Sequence, residues 1–398
     1  MLSFRRLPAV AALLTAVPSQ VQALPSWARR YNMNCSGCHS PAVPRLNATG
    51  IAFKWAGYRM PDDIGVAVEV KKIENYLAAR VVGAYDYADR KREGRETDGF
   101  SVPSASLFAA GPLGKNYAAY LEFERVSDGS VDLIGSISGL WGREKRYGGF
   151  RIAQGHMLFA AGGVAGFDRP TAISAPLAYD ESVTRAIPLR LGGDQTGAEL
   201  FAVLGGRNRT AVQVLNGVVV GTGMEGSAVS KKDIVLTNQL MWDDAGSGLG
   251  LAAYIGNASG LITQQPTEGR RFYRLSATAN KIVDRFEVMS GYLYGKDRSV
   301  PVADTLSSDT QSPTGHSWWV QGQYTLKQNP LVLFGRYEYV NLDRKASDES
   351  RQRYMLGAVL PISLPEYLRW SIELYRDTYR AAAIPRRNGM STQLQVAY

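Results

Sequence analysis

Cys35-Ser36-Gly37-Cys38-His39 is the one stretch of this chain whose residue types and spacing specify a chemistry. Two thiols three residues apart can add to the two vinyl groups of one porphyrin, and a histidine directly after the second thiol is placed to ligate the iron from one side. The motif therefore predicts one covalently attached haem c, with Cys35 and Cys38 as anchors and His39 as the proximal ligand. No other cysteine occurs in the 398 residues, and His156 and His316 are the only other histidines. A zinc site would need a second pair of soft ligands, and a thioredoxin-type redox pair would sit in a βαβ pattern that is missing here. On the distal side, Met60 in Tyr58-Arg59-Met60-Pro61 offers an axial thioether, which would raise the reduction potential, against a plain packing role. Met33 stands too close to Cys35 to reach the opposite haem face. His156 and Met157 fall on an expected strand and would meet the haem only across a lumen.

The elements that must hold this motif are few. Residues 1–23 carry Arg5 and Arg6, an apolar run from Leu7 to Val17 and the small-residue end Val21-Gln22-Ala23, the pattern of a secretory signal peptide cut after Ala23. Covalent haem of this kind is attached outside the cytoplasm, so leader and motif agree, and a Gram-negative source is expected. Residues 24–65 form the expected haem module. Within it Asn47 can N-cap a short helix from Ala48 to Gly57, and Leu46, Ile51, Phe53 and Trp55 are candidates to cover the porphyrin or to pack a core. About forty residues cannot bury a haem unaided, so something else must shelter it.

From about Tyr76 the pattern has period two to the last residue. Tyr117, Ala119, Leu121 and Phe123 share one face, opposite Tyr120, Glu122 and Glu124. Phe286, Val288, Tyr292 and Tyr294 oppose Arg285 and Glu287; Leu331, Leu333, Tyr337 and Tyr339 oppose Arg336 and Glu338. Leu368, Trp370, Ile372 and Leu374 oppose Arg369, Ser371, Glu373 and Tyr375, and Met390, Thr392, Leu394, Val396 and Tyr398 oppose Ser391, Gln393 and Gln395. A soluble sandwich also alternates. Aromatics at strand ends on the apolar face (Trp318, Tyr292, Tyr337, Tyr339), a last strand ending on Tyr398, and connections that alternate short and long favour a membrane barrel. The fold class is therefore all-β: residues 66–398 as a closed antiparallel transmembrane β-barrel of about 16 strands, with the short N-terminal haem module plugging the lumen. The strands are expected near 76–88, 102–111, 116–126, 131–142, 148–159, 196–206, 209–219, 232–243, 246–257, 271–282, 283–296, 315–328, 330–341, 350–361, 366–379 and 389–398. If the first runs outward, the short connections face the periplasm and the long ones, 160–195 among them, face outside. A barrel of that size keeps an open lumen, lined by polar residues, for the module to enter from the periplasmic side.

Formal charge is +9, or +7 without Arg5 and Arg6, yet the cations alternate with acids, as in Lys91-Arg92-Glu93-Gly94-Arg95-Glu96, so nucleic acid is excluded as a partner. Mean hydropathy is -0.17 and no apolar run approaches about twenty residues beyond the leader, which rules out a membrane helix and leaves a barrel untouched. Inward carboxylates Glu122, Glu124, Glu287, Glu338, Glu373 and Asp377 could guide a hard cation. With Arg285, Arg336 and Arg369 among them, a structural charge ladder is the stronger reading.

These residues resemble the monohaem cytochrome-porin fusions of bacterial outer membranes, best known from iron-oxidising bacteria. The resemblance lies in Ala23-Leu24-Pro25-Ser26-Trp27-Ala28-Arg29, in Cys35 to His39, and in Pro44-Arg45-Leu46-Asn47 followed by Gly50, Phe53, Lys54, Gly57 and Tyr58. Trp27 stands where the family more often shows Phe, and the barrel matches only as a type. The resemblance implies a single haem c within a sixteen-stranded porin, held by Cys35 and Cys38 with His39 proximal. It would take electrons from an extracellular reduced donor such as Fe(II) and hand them to a periplasmic c-type cytochrome or other carrier. The alternative is a diffusion porin for small solutes, anions given the basic balance, with a structural or sensory haem. A third reading is a soluble periplasmic haem protein built on a sandwich.

Overall fold

The structure is a computed structural model. It describes residues 26–40, 45–68, 72–90, 95–126, 129–155, 171–184, 187, 189–192, 195–219, 232–259, 270–298, 300–301, 310–327, 331–345, 350–362, 368–381 and 386–397. The expected leader, His156, Met157 and Tyr398 lie outside the described residues.

Where the sequence alternates, sixteen long strands form, one for each expected: β1 (Leu77–Arg90), β2 (Arg95–Pro112), β3 (Tyr117–Val126), β4 (Val131–Arg143), β5 (Arg146–Gln154), β6 (Gly197–Leu204), β7 (Asn208–Leu215), β8 (Asp233–Met241), β9 (Gly248–Ser259), β10 (Arg270–Val283), β11 (Phe286–Asp297), β12 (Thr314–Thr325), β13 (Val332–Asn341), β14 (Ser350–Pro361), β15 (Leu368–Tyr379) and β16 (Arg387–Ala397). Each pairs antiparallel with its chain neighbour, and β16 returns to β1, with Arg80 opposite Ala397 and Asp89 opposite Asn388. The sheet is thus a closed barrel. Closure satisfies the backbone groups an open edge would leave bare, which is why strands can cross lipid only in this form. Among the described residues, three short helices lie outside the wall sequence: α1 (Ser26–Tyr31), α2 (Ala48–Trp55) and α3 (Leu177–Asp180).

The outward face is apolar. Leu200 and Leu356 keep 68% and 67% of their surface exposed, and Ile152, Leu204, Leu275 and Leu374 keep half or more. A continuous apolar surface of this kind is stable only against lipid. Aromatics flank it in two belts. Phe286 stands opposite Tyr324 near one end, while Tyr292 stands opposite Trp318, which packs on Tyr337 at 5.1 Å, nearer the other. The described connections at the Phe286 end are short turns, among them residues 113–116, 144–145, 205–207, 242–247 and 284–285. Arg285, expected on the inner wall, sits in the last of these turns. Among the connections at the other end is the long one from 155 to 196.

The inward face departs from the expected polar lining. It buries Val203, Leu215, Val235, Phe272, Met289, Leu293 and Trp319 alongside Arg209, Glu199, Arg274, Glu287, Arg336, Glu338 and Glu373. The reason is that two segments pack on it from inside. The described part of the 155–196 connection, expected as an outer loop, has its α3 region on the inner wall. Leu177 N–H donates to Glu338, Ser174 Oγ to Glu373, Ile187 N–H to Asp297 (3.0 Å), and Arg274 donates to Asp297 (2.8 Å) and Thr184 (2.7 Å). The second segment is N-terminal.

Candidate functional site

The motif forms a short 3-10 turn, Cys35–Gly37, closed by Cys38 N–H and His39 N–H donating to the Cys35 carbonyl at 3.1 and 2.9 Å. It is clasped onto the start of α2 by one residue. Asn47 caps α2 through Oδ1, which accepts from Gly50 N–H at 3.0 Å, while its Nδ2 donates to the carbonyls of Ser36 and Gly37 at 3.2 and 3.1 Å. Its own backbone N–H donates to the Cys38 carbonyl at 3.0 Å. The sequence foretold the cap and not the clasp. Gly50 is required by the same closeness: a Cβ there would lie 2.2 Å from the Cys38 carbonyl oxygen.

His39 is oriented by the chain that follows it. A bridge pairs His39 with Leu46, and His39 Nδ1 lies 3.1 Å from the Arg45 carbonyl oxygen. A carbonyl can only accept, so this contact is a hydrogen bond in the tautomer that carries its proton on Nδ1, which leaves the lone pair on Nε2. Cys35 and Cys38 are not joined in a disulfide. Burial pushes the Cys38 thiol up, opposite to the depressed thiol of a thioredoxin-type pair. Met33 packs across the turn, with its sulfur 4.0 Å from Cys38 Sγ. Among the described residues no three of His, Cys, Asp and Glu converge as a metal cage.

Behind the motif lies an aromatic stack. Trp27 from α1 stacks on Tyr58 at 5.0 Å, and Tyr58 on Tyr120 of β3 at 5.1 Å, with Phe53 of α2 edge-on to Trp27 and Tyr31. Tyr58 takes a left-handed backbone (φ 62) directly after Gly57 (φ 69), which ends α2 and swings the ring into the stack. That conformation costs a tyrosine about 1–2 kcal/mol, offset by two ring contacts of about 0.5–1.5 kcal/mol each. Met60, the candidate distal ligand, is half-buried against this cluster, its N–H donating to Tyr31 Oη at 3.3 Å. Of the residues suggested to cover a porphyrin, Phe53 joins the stack. Ile51 and Trp55 instead face the wall, packed with Leu140, Tyr147, Phe201, Val203 and Met241, and Leu46 rests on the same cluster.

The segment is fastened to the inner wall near the short turns. Arg45 and Glu287 form a forked ion pair at 1% and 5% side-chain exposure. Trp55 Nε1 donates to Gln239 (3.1 Å), Arg59 to the carbonyls of Gly114, Lys115 and Tyr117, and Gly65 N–H to Lys115 O (3.0 Å). One contiguous apolar cluster then runs from Phe53 and Tyr58 through Tyr179, Val183, Ile187 and Leu191 of the internal loop to Val235, Phe272, Met289 and Trp319 of the wall. The six expected cation-guiding carboxylates are all occupied: Glu122 and Glu124 by Arg80, Glu287 by Arg45, Glu338 by Arg336, Glu373 by Ser174, and Asp377 by Arg351 and Arg353.

No protein-family profile matches this chain, and no curated protein does. Solved structures do resemble it. The outer membrane channel DcaP of Acinetobacter baumannii superposes with a TM-score of 0.58 at 12% identity, covering 81% of this chain and 96% of that one. The anion-selective porin from Comamonas acidovorans gives 0.55 at 11% identity, covering 81% and 98%. OprB of Pseudomonas putida gives 0.58 at 9% identity, covering 81% and 94%. The likeness defines the fold as a porin-type sixteen-stranded barrel. At such identities it carries the fold alone.

Proposed function

We propose that the chain is an outer-membrane barrel bearing one haem c on Cys35 and Cys38, with His39 as proximal ligand, and that it conducts electrons from an extracellular reduced donor, Fe(II) foremost, to a periplasmic c-type cytochrome or similar carrier. The observation that carries the reading is the C-x-x-C-H turn with His39 Nδ1 tied to the Arg45 carbonyl, on a segment fastened to the barrel's inner wall. The apolar wall requires lipid, and the leader of secretory type makes that lipid the outer membrane. When bound, the haem supplies a one-electron redox centre. The protein's part is to hold His39 by one ring nitrogen, to offer Met60 as the candidate distal thioether from the aromatic cluster, and to exclude water with the apolar packing around it. Ferric iron precipitates at neutral pH, so a route that moves the electron and leaves the metal outside suits this donor.

A second reading, diffusion of small solutes, is favoured by the likeness to channel structures, one of them described as anion-selective. The internal segments narrow the interior, because one apolar cluster joins Phe53 and Tyr58 through Tyr179 to Trp319 of the wall, so conductance is the measurement that separates the two readings. Protein purified from outer membranes is assayed for covalent haem by its pyridine haemochrome, for reduction by Fe(II) from the loop side in proteoliposomes, and for conductance in planar bilayers. Covalent haem, reduction and low conductance are expected. Absence of covalent haem, or a wide ohmic pore in haem-free protein, would sink the electron-transfer reading.

A further inference from the structure

Glu287 lies on the barrel wall, 252 positions along the chain from Cys35, yet it ends a short chain of bonds that begins at His39. The His39 ring bonds the Arg45 carbonyl; the Arg45 guanidinium is forked onto Glu287. Glu287 is itself fixed, accepting from Asn280 Nδ2 at 2.9 Å and from Gln323 Nε2 at 2.7 Å, both on neighbouring strands and both buried. The adjoining turn closes from the side: a Cβ on Gly246 would stand 2.9 Å from Ala48 N and 3.1 Å from the Asn47 carbonyl carbon, so the turn is already against the start of α2. A cation this deeply buried needs a partner of opposite charge, and removing that partner leaves an uncompensated charge in a low-dielectric interior. The Arg45 backbone therefore cannot shift without breaking a strong contact, and its carbonyl is held where His39 Nδ1 meets it.

We propose that Glu287 is a positioning residue for the axial histidine: through Arg45 it fixes the hydrogen bond that makes the His39 ring a strong electron donor to whatever metal Nε2 holds. This rests on the haem reading above. A hydrogen bond accepted from the far ring nitrogen raises the basicity of a ligating histidine and stabilises the oxidised metal. Loosening the Arg45 carbonyl consequently raises the midpoint potential.

The discriminating variant is Arg45→Lys, which keeps the charge of the pair and loses the fork. Glu287→Gln removes the charge with little change of shape, and Glu338→Gln removes a comparable buried wall carboxylate that bonds Arg336 and the internal loop instead. Each protein is purified folded, judged by heat-modifiable gel mobility, its haem counted by pyridine haemochrome, and its midpoint potential and ferric electron paramagnetic resonance spectrum recorded. Full haem occupancy with an upward shift and altered g values in both Arg45→Lys and Glu287→Gln, and neither in Glu338→Gln, is the expected result. A shift in Glu287→Gln with none in Arg45→Lys means through-space charge alone, and it overturns the proposal, as do equal shifts in all three or none in any. If Glu287→Gln does not fold, Arg45→Lys decides against Glu338→Gln. Wild-type protein lacking covalent haem overturns the haem reading itself, an outcome distinct from every other.

Discussion

Gly50→Ala tests whether the motif is clasped to α2 as closely as the contacts state. In an ordinary helix interior the change favours the helix by about 1 kcal/mol. Here the added methyl would stand 2.2 Å from the Cys38 carbonyl oxygen and 2.9 Å from Leu46 Cδ2, and the first of these is backbone that three bonds around Asn47 hold in place. Relief requires the motif and the helix to part by about an ångström. Overpacking of that kind costs about 1–3 kcal/mol, so the clash outweighs the propensity gain by up to about 2 kcal/mol, with about 1 kcal/mol as the middle value. At 1.4 kcal/mol per factor of ten, local opening of the segment rises about fivefold. Hydrogen exchange measured on the folded protein in detergent reads this directly at amides of α2, such as Ala56 N–H on the Ala52 carbonyl, while barrel amides stay unchanged. Gly114→Ala, where nothing lies within 4 Å, is the neutral comparison. Exchange in α2 as slow as wild type, or slower, would refute the reasoning, because propensity would then have won.

Three further outcomes follow from buried contacts. Asp297→Ala strips Arg274 of its partner in a pair with no side-chain exposure and takes the acceptor from Ile187 N–H, so stability falls by about 3–5 kcal/mol and protease cuts appear within 171–192; an unchanged denaturation midpoint contradicts this. Trp55→Phe loses the bond to Gln239, about 1 kcal/mol, together with the part of the indole packed in the cluster with Leu140 and Phe201, so α2 exchange accelerates about tenfold or more without loosening the barrel, whereas no change would mean both contacts are idle. Burial, with Asp63 accepting its hydroxyl, pushes Tyr31 up to about 12. Its folded pKa then exceeds the unfolded value of about 10, so its stabilisation is complete below pH 10 and drains away as pH rises through 12. An ultraviolet titration of wild type minus Tyr31→Phe should place this phenol near 12; a value near 10 contradicts it.

Local patterns were legible wherever local rules govern. The Asn47 cap, the helix after it (expected to Gly57, ending at Trp55) and the sixteen strands with their outward residues all follow from short-range spacing, because a strand facing lipid must alternate whatever its partner. Gly50, Phe53, Lys54, Gly57 and Tyr58, which carry part of the family resemblance, each have a structural reason: closeness to the Cys38 carbonyl, a place in the aromatic stack, a carbonyl bonded by Arg151, and left-handed backbone at Gly57 and Tyr58. The inner face was misjudged for the converse reason. Period two says which side chains share a face and nothing about what will press on them, so Val235, Phe272, Met289 and Trp319 could not be known as core until Tyr179, Val183 and Ile187 were brought across the bore.

What the sequence by itself determined is the spacing of Cys35, Cys38 and His39 on which the haem proposal rests, and the alternation of a closed wall, since both are encoded within a few residues. Only the tertiary structure decided that Glu287 grips Arg45, 242 positions away, and that the described part of the 155–196 connection, at Leu177 and Ile187, turns inward onto Glu338 and Asp297. Both depend on buried charges finding partners in a low-dielectric interior, a condition that exists only after the barrel has closed around them.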